Sequence, residues 1–390
     1  MQNIATVDAT LAPSRTQASA LSWVVLAMAV GATSIVVGVL WDISWHRTIG
    51  RDTFWTPAHM AIYLGGVLGG LGGGWLALRT TFGNDPTAHS AAVRFWGFRA
   101  PLGAWVAIWG AIAMLTSAPF DDWWHNAYGL DVKIISPPHM VLAMGMGGIV
   151  LGALLLALSE QNRGTHSAAR SGFYLYVAGM LVAVLSILTM EYNTTNLHHG
   201  PKFYLVACLI YPVVLVAVAR AGRPLFSATL AAGVYMAIYM LMIWILPLFK
   251  AQPMLGPIYN PVDYMVVHKF PILLILPALA LDFLMLRFGD KGRDLLLALA
   301  LGGAFFLTLL LVQWPFAEFL ISPAAENRFF GSHLSWSYNS RPGSWQYEFW
   351  GPNLNLRTAG IATVVAMLSS WLGLRWGHWM SKVQRSGSTR

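Results

Sequence analysis

Hydrophobic residues run along this chain in long unbroken stretches, without the 3.6- or 2-residue spacing that marks half-buried helices and strands. Ten stretches stand out, at 21–41, 58–79, 100–119, 138–158, 171–190, 203–220, 224–249, 266–286, 294–320 and 357–380. Each is close to the roughly 20 apolar residues that a helix needs to cross a hydrocarbon layer about 30 Å thick. The pattern predicts an all-α, polytopic transmembrane helix bundle of about ten spans. It divides the chain into a polar tail at 1–20, a four-helix membrane region at 21–160, six further spans at 161–380 with a long outer loop at 321–356, and a second tail at 381–390. The first stretch is too long for a signal peptide and lacks a small-residue cleavage site, so it reads as an anchored helix.

Composition narrows the function classes. The chain is 56% hydrophobic and 10% charged, against about 25% charged in a soluble domain, which excludes a soluble enzyme. A single cysteine, Cys208, excludes an intrachain disulfide, a Cys-rich zinc site and an iron–sulfur cluster. Any metal chemistry must therefore use His and carboxylates. The net charge of +8 reports topology in a chain this apolar, and nucleic acid is not expected as a partner. An even number of spans puts both ends on one side. That side collects Arg15, Arg79, Arg94, Arg99, Arg163, Arg170, Arg220, Arg223, Arg287, Lys291, Arg293, Arg375, Lys382, Arg385 and Arg390, 15 of the 24 basic residues. The positive-inside rule makes both termini cytoplasmic. Eight of the 11 histidines, His46, His59, His125, His139, His198, His199, His268 and His333, fall at the opposite, outer side.

A duplication gives that clustering a pattern. Residues 41–59 read WDISWHRTIGRDTFWTPAH and residues 120–139 read FDDWWHNAYGLDVKIISPPH. Both fit D-x3-H-x3-G-x-D followed by [ST]-P-x-H, with Trp before the first His, and each joins an odd span to the next. Asp42 and His46, like Asp121 and His125, are one helical turn apart and project from one face. Thr56 and Ser136 read as N-caps, Pro57 and Pro137 take the favoured first helical position, and His59 and His139 follow in the first turn. The hairpin thus swings a third ligand onto the first two. Two imidazoles and one carboxylate suit a divalent transition metal rather than calcium or magnesium. Copper, iron and zinc all stay open on this spacing.

The first copy, especially SWHRTIGRDTFWTPAH, resembles the metal-binding segment of the C subunit of copper-containing membrane monooxygenases, the particulate methane and ammonia monooxygenase family. The likeness covers about residues 20–160. Asp42, His46 and His59 match that family's Asp-x3-His-x12-His pattern. Asp121, His125 and His139 keep the spacing of its Asn-x3-His-x13-His site, with Asp in place of Asn. A carboxylate there implies tighter cation binding. The resemblance implies copper, molecular oxygen, an external electron donor, and hydroxylation of a small apolar molecule or ammonia, with Asp42, His46 and His59 catalytic. It also implies a bacterial inner membrane, sites on the periplasmic side, and further monooxygenase-type subunits or a homo-oligomer beside membrane lipid.

Other polar residues invite weaker readings. Arg51 and Asp52 read either as outer residues that orient the His ligands or as a loop ion pair. Glu191, Asn193, His198 and His199 read as structural hydrogen bonding or an access-path lining more readily than as a third metal site. His268, near Asp263, is a remote candidate ligand. Loop 321–356, with His333, Trp336, Trp345 and Trp350, reads as a lid or an interfacial anchor. The run GGVLGGLGGG at 65–74 lacks a phosphate-loop ending and points to close helix packing. Two rival functions remain: a copper uptake or transfer protein, toward which Met140, Met144 and Met146 below His139 point, and a subunit whose metal only stabilises the fold.

Overall fold

The computed structural model describes residues 22–129, 136–163, 167–289, 292–341 and 343–383. The tail 1–20 with Arg15, the second hairpin's Asp131, Lys291, Arg385 and Arg390 lie outside them. The helices are α1 (Trp23–Thr48), α2 (Pro57–Phe82), α3 (Pro86–Ser90), α4 (Leu102–Tyr128), α5 (Pro137–Arg163), α6 (Ala168–Leu188), α7 (Pro201–Ala221), α8 (Ser227–Ile245), α9 (Ile275–Phe288), α10 (Asp294–Leu320) and α11 (Leu356–Met380). All but α3 and α9 are long and apolar enough to cross a membrane. The chain is an all-α polytopic membrane protein. Its one sheet, among the described residues, is a hairpin of β1 (Val93–Phe95) and β2 (Phe98–Ala100), turned by Trp96 and Gly97, which both have positive φ.

One expected span departs from a simple helix. Across 266–286, α9 begins only at Ile275, and the preceding residues are non-helical and mostly buried, Val267 completely. Lipid cannot satisfy such a backbone, so non-helical segments at this depth need protein partners. Here they come from distant side chains. The N–H of Val266 donates to Thr48 Oγ1 at 2.7 Å and its carbonyl accepts from Ser44 Oγ at 2.6 Å. The Ile272 N–H donates to the Tyr235 hydroxyl at 3.0 Å, and the Leu273 N–H to Gln313 Oε1 at 2.9 Å.

The duplicated hairpins, α1–α2 and α4–α5, form one four-helix unit. α1 packs on α5 and α2 packs on α4, the pairing left unchanged when two copies are exchanged about a two-fold axis. The repeat reaches deeper than its motif. Gly31 and Gly65 bring α1 against α2, a Cβ on Gly31 meeting the Gly65 carbonyl at 3.2 Å. Their counterparts Gly110 and Gly145 do the same for α4 and α5 at 2.7 Å. The Gly-rich run serves packing as expected: a Cβ on Gly73 would lie 2.9 Å from the Ala104 carbonyl of α4.

Contacts among helix ends define two faces. At one, Asn162 donates its amide to the Met380 and Val383 carbonyls, and Arg220 donates to the Gly289 carbonyl. At the other, the Tyr338 N–H donates to the Arg47 carbonyl, Leu354 to His199, and Trp350 to Asn196. Loop 321–356 is therefore docked across the ends of α1 and α7, on the face that carries the duplicated motif.

Candidate metal centre

Helix α1 continues through Asp42 and His46, which keeps both on one face. Gly50, at φ +83°, turns the chain out of the helix; the matching Gly129 has φ +89° after α4. These left-handed conformations explain the glycine of the repeated motif. Thr56 occupies the N-cap position of α2 without capping it. Its hydroxyl instead accepts the Thr53 N–H at 2.8 Å, which shapes the loop, and Trp45 Nε1 donates to the Arg51 carbonyl at 2.9 Å. Pro57 starts α2 as expected.

The result is a closed set of donors. His59 Nε2 lies 3.1 Å from Asp42 Oδ1 and 3.4 Å from Asp52 Oδ2. His46 Nε2 lies 3.7 Å from Asp42 Oδ2 and 3.5 Å from Asp52 Oδ2. Asp42, His46 and His59 each place a donor atom within 4.8 Å of the others. Asp52 Oδ2 stands beside them, within 3.5 Å of both imidazoles. Arg51 contributes its carbonyl; its exposed guanidinium has no ion pair within 4.0 Å among the described residues.

The donor chemistry asks for a cation. His59 Nδ1 lies 2.9 Å from the Thr53 carbonyl, which can only accept, so Nδ1 carries a proton and Nε2 is the nitrogen turned to the carboxylates. Nε2 in turn faces Asp42 Oδ1 at 3.1 Å. Two acceptors at this separation repel unless a proton or a metal ion lies between them. With metal–ligand bonds of about 2.0–2.2 Å, neighbouring donors sit roughly 3.0–3.5 Å apart in octahedral or tetrahedral sites. The spacings here fall in or just beyond that range, so the residues fit a transition metal. His46 is 48% exposed, leaving the centre open at the surface. Beside it lie the exposed rings of Phe54 and Trp55, with Phe54 packed on Tyr63 and Tyr63 near His59.

In the second copy, Asp121 lies between its histidines, 3.4 Å from His125 Nε2 through Oδ2 and 3.7 Å from His139 Nε2 through Oδ1. His125 Nδ1 contacts the Gly129 carbonyl at 3.3 Å, again leaving Nε2 as the ligand atom. Asp121 Oδ1 and His139 Nδ1 are buried without hydrogen-bond partners among the described residues. Asp122 turns to the Asn126 amide.

The remaining outer histidines are placed otherwise. His198 spends Nε2 on the Asn193 carbonyl and Nδ1 on the Gln313 amide, both at 3.0 Å. His199 is stacked between Trp314 and Phe349 and reaches the Trp314 carbonyl at 3.2 Å. Both rings serve the fold. Burial pushes His198 down to about 3, against the Asn193 hydrogen bond that raises it, and lowers His199 as well. His333 is exposed, and His268 lies buried in a separate cavity. No protein family model matches the chain, and no curated protein or solved structure does either.

Proposed function

We propose that this protein is a membrane metalloenzyme, or the metal-bearing subunit of one, that holds copper on Asp42, His46 and His59 with Asp52 and hydroxylates a small apolar molecule or ammonia. The observation that carries this reading is the convergence of donor atoms from Asp42, His46 and His59 within 4.8 Å of one another, in a set that is open at the surface. Iron or zinc would meet the same donors; the sequence resemblance favours copper. Copper bound there would supply the electron transfer to molecular oxygen that the chain's own residues lack.

Those residues do the positioning. The Thr53 carbonyl fixes the His59 tautomer, and Gly50 with the Trp45–Arg51 contact holds the loop that delivers Asp52. Phe54, Trp55 and Tyr63 give a small apolar substrate a surface to approach along. Hydroxylation of R–H takes one oxygen atom of O2 into the product and releases the other as water, with two electrons from an external donor and two protons. The centre lies on the face opposite the Arg-rich connections, the periplasmic face in a bacterial inner membrane. Further subunits or copies of the chain would supply contacts for the donor.

The test is elemental analysis of protein purified in mild detergent, followed by oxygen uptake with a quinol-type reductant and ammonia or short alkanes. About one copper or more per chain, with substrate-dependent uptake lost in His59→Ala, supports the reading. Metal-loaded protein without oxygen uptake favours copper transfer instead, to which Met140 and Met144, both exposed on α5 below His139, would contribute. Protein without metal affinity removes both.

A further inference from the structure

Where α2 leaves the bilayer and α4 enters it, at the end of the bundle opposite the metal centre, the chain forms its β-hairpin. β1 and β2 pair Val93 with Ala100, Arg94 with Arg99 and Phe95 with Phe98. Side chains alternate between the two faces of a strand. Phe95 and Phe98 therefore share one face, and Arg94 and Arg99 share the other.

The apolar face is fastened to both spans. Phe95 packs on Trp105 and Trp109 of α4, and Phe98 on Phe82 of α2. Trp105 Nε1 donates to the Val93 carbonyl at 3.0 Å. The Arg99 N–H donates to Thr81 Oγ1 at 2.8 Å, and the same hydroxyl donates to the Arg99 carbonyl at 3.2 Å. The backbone groups of Arg99 thus point away from β1, which makes Arg94 and Arg99 a non-hydrogen-bonded pair, the kind whose side chains stand closer.

Like charges directly opposite one another on a sheet repel, and nothing in the connection offsets these two. Asp85 is the one acid between Phe82 and Leu102, and it caps α3 by accepting from the Thr87 and Ala88 N–H groups. Among the described residues, neither guanidinium has a carboxylate within 4.0 Å.

The turn and its neighbours fix the depth. Trp96 has φ +47°, a left-handed conformation usually taken by Gly, Asn or Asp in such turns. Its ring is 82% exposed and rests on Phe95 and Trp109. Trp109 of α4 and Trp75 of α2 are both exposed, each about 10 Å along its helix from the hairpin end. Trp23, exposed at the start of α1, packs on Trp75. Exposed tryptophans near the ends of spans mark the boundary between head groups and acyl chains. β2 ends just before α4 begins, so the arginine pair stands at head-group level beside that band.

We propose that Arg94 and Arg99 together bind the phosphate of an anionic phospholipid, with Trp96 against the upper part of its acyl chains. Guanidinium forks match phosphate oxygens, and each basic group at a bilayer surface favours anionic lipid by about fivefold. A zwitterionic head group would bring a cation of its own to the pair. A soluble acidic segment fits less well, because the rings beside the pair lie at the depth of the acyl chains. The site shares no residue with the metal centre.

The test uses the full chain in a nonionic detergent, with dioleoyl phosphatidylglycerol and dioleoyl phosphatidylcholine as probes, read by native mass spectrometry and thermal shift. The wild type should bind phosphatidylglycerol at least tenfold more tightly. An Arg94→Gln, Arg99→Gln double variant should lose that preference, bind phosphatidylcholine as before, and unfold no lower than the wild type without lipid, since a repulsion is relieved. The single variant Arg94→Gln, at an exposed position, should lose about fivefold. An Arg287→Gln, Arg375→Gln double variant, which removes two exposed charges elsewhere on the same face, should keep the preference. Equal binding of the two lipids by the wild type overturns the proposal whether or not the variants fold. So does an equal loss in the two double variants, which would assign the preference to the charge of the whole face. Displacement of phosphatidylglycerol by hexaglutamate at comparable concentration would also overturn it, in favour of an acidic protein partner.

Discussion

Asp52 Oδ2 stands 3.4 Å from His59 Nε2, on the same imidazole nitrogen that Asp42 approaches at 3.1 Å. One imidazole nitrogen thus faces two carboxylates, and His46 Nε2 meets both as well. A site of two imidazoles and two carboxylates carries a charge of −2, which neutralises a divalent cation. The same charge would hold a monovalent cation less firmly than a divalent one.

Asp52→Ala should therefore lower divalent-metal affinity by tenfold or more, comparable with Asp42→Ala. Arg51→Ala, whose guanidinium takes no part in the donor set, should change it by less than about threefold. Metal titration of the three variants in detergent checks this. Equal losses in Asp52→Ala and Arg51→Ala would mean that the loop, not the carboxylate, is what matters.

The two motif glycines separate backbone strain from steric overlap. Both have positive φ, but a Cβ on Gly50 would overlap the Tyr338 hydroxyl, whereas one on Gly129 meets no described residue within 4 Å. Gly129→Ala should cost about 1 kcal/mol of stability. Gly50→Ala should cost about 2 kcal/mol or more, release loop 321–356 from α1, and weaken metal binding. Tyr338→Phe in the Gly50→Ala background should recover part of that loss, since the hydroxyl overlap goes while ring atoms at 2.9 and 3.0 Å remain. Thermal unfolding and limited proteolysis of the loop measure the difference.

How far these features could be read ahead follows from where their causes lie. Asp42 and His46 were legible because helical spacing alone puts them on one face, and Pro57 because its missing N–H suits a helix start. The role of Asp52 was not, since the path of a loop depends on Gly50 and on side chains such as Thr56 that bond within it. Hydropathy also marked 266–286 as a span. It could not separate a helix from a buried non-helical segment, because the partners of Val266, Ile272 and Leu273 are Thr48, Tyr235 and Gln313, far away in sequence. The repeat's glycines Gly31 and Gly110 were visible as residues, but only the packing of α1 on α2 and α4 on α5 shows them to correspond.

The His198–Gln313 pair links the non-helical segment to acid sensitivity. Gln313 accepts from Leu273 and donates to His198, so it needs a neutral His198 Nδ1. Burial holds His198 near 3 in the fold, whereas the unfolded chain titrates near 6.5. The stability that this neutral ring contributes is complete above about pH 6.5 and is lost as the pH falls toward 3, with a slope of at most about 1.4 kcal/mol per unit. Metal-free protein should unfold at lower temperature at pH 5 than at pH 7.5. His198→Gln should be less stable at pH 7.5 but flatter between the two. An unchanged slope in His198→Gln would assign the acid sensitivity to other groups. Gln313→Leu, which strands the Leu273 N–H, should cost about 1–3 kcal/mol at either pH.

The two copies of the motif should fail differently. His46 is about half exposed and stands in the donor set with both Asp42 and Asp52, so its removal takes away a ligand without opening the core. His125 is less exposed, at 27%, and its Nδ1 contact with the Gly129 carbonyl braces the end of α4, so its removal reaches the fold of the second hairpin. If the first centre carries the oxygen chemistry, His46→Ala should abolish reductant-dependent oxygen uptake, by about a hundredfold or more, while unfolding at nearly the wild-type temperature. His125→Ala should instead lower metal occupancy and unfolding temperature together, with residual uptake in proportion to the folded, metal-loaded fraction. Uptake normalised to bound metal distinguishes the two: it should fall in His46→Ala and hold in His125→Ala. A well-folded His125→Ala protein without uptake, beside an active His46→Ala, would move the chemistry to Asp121, His125 and His139.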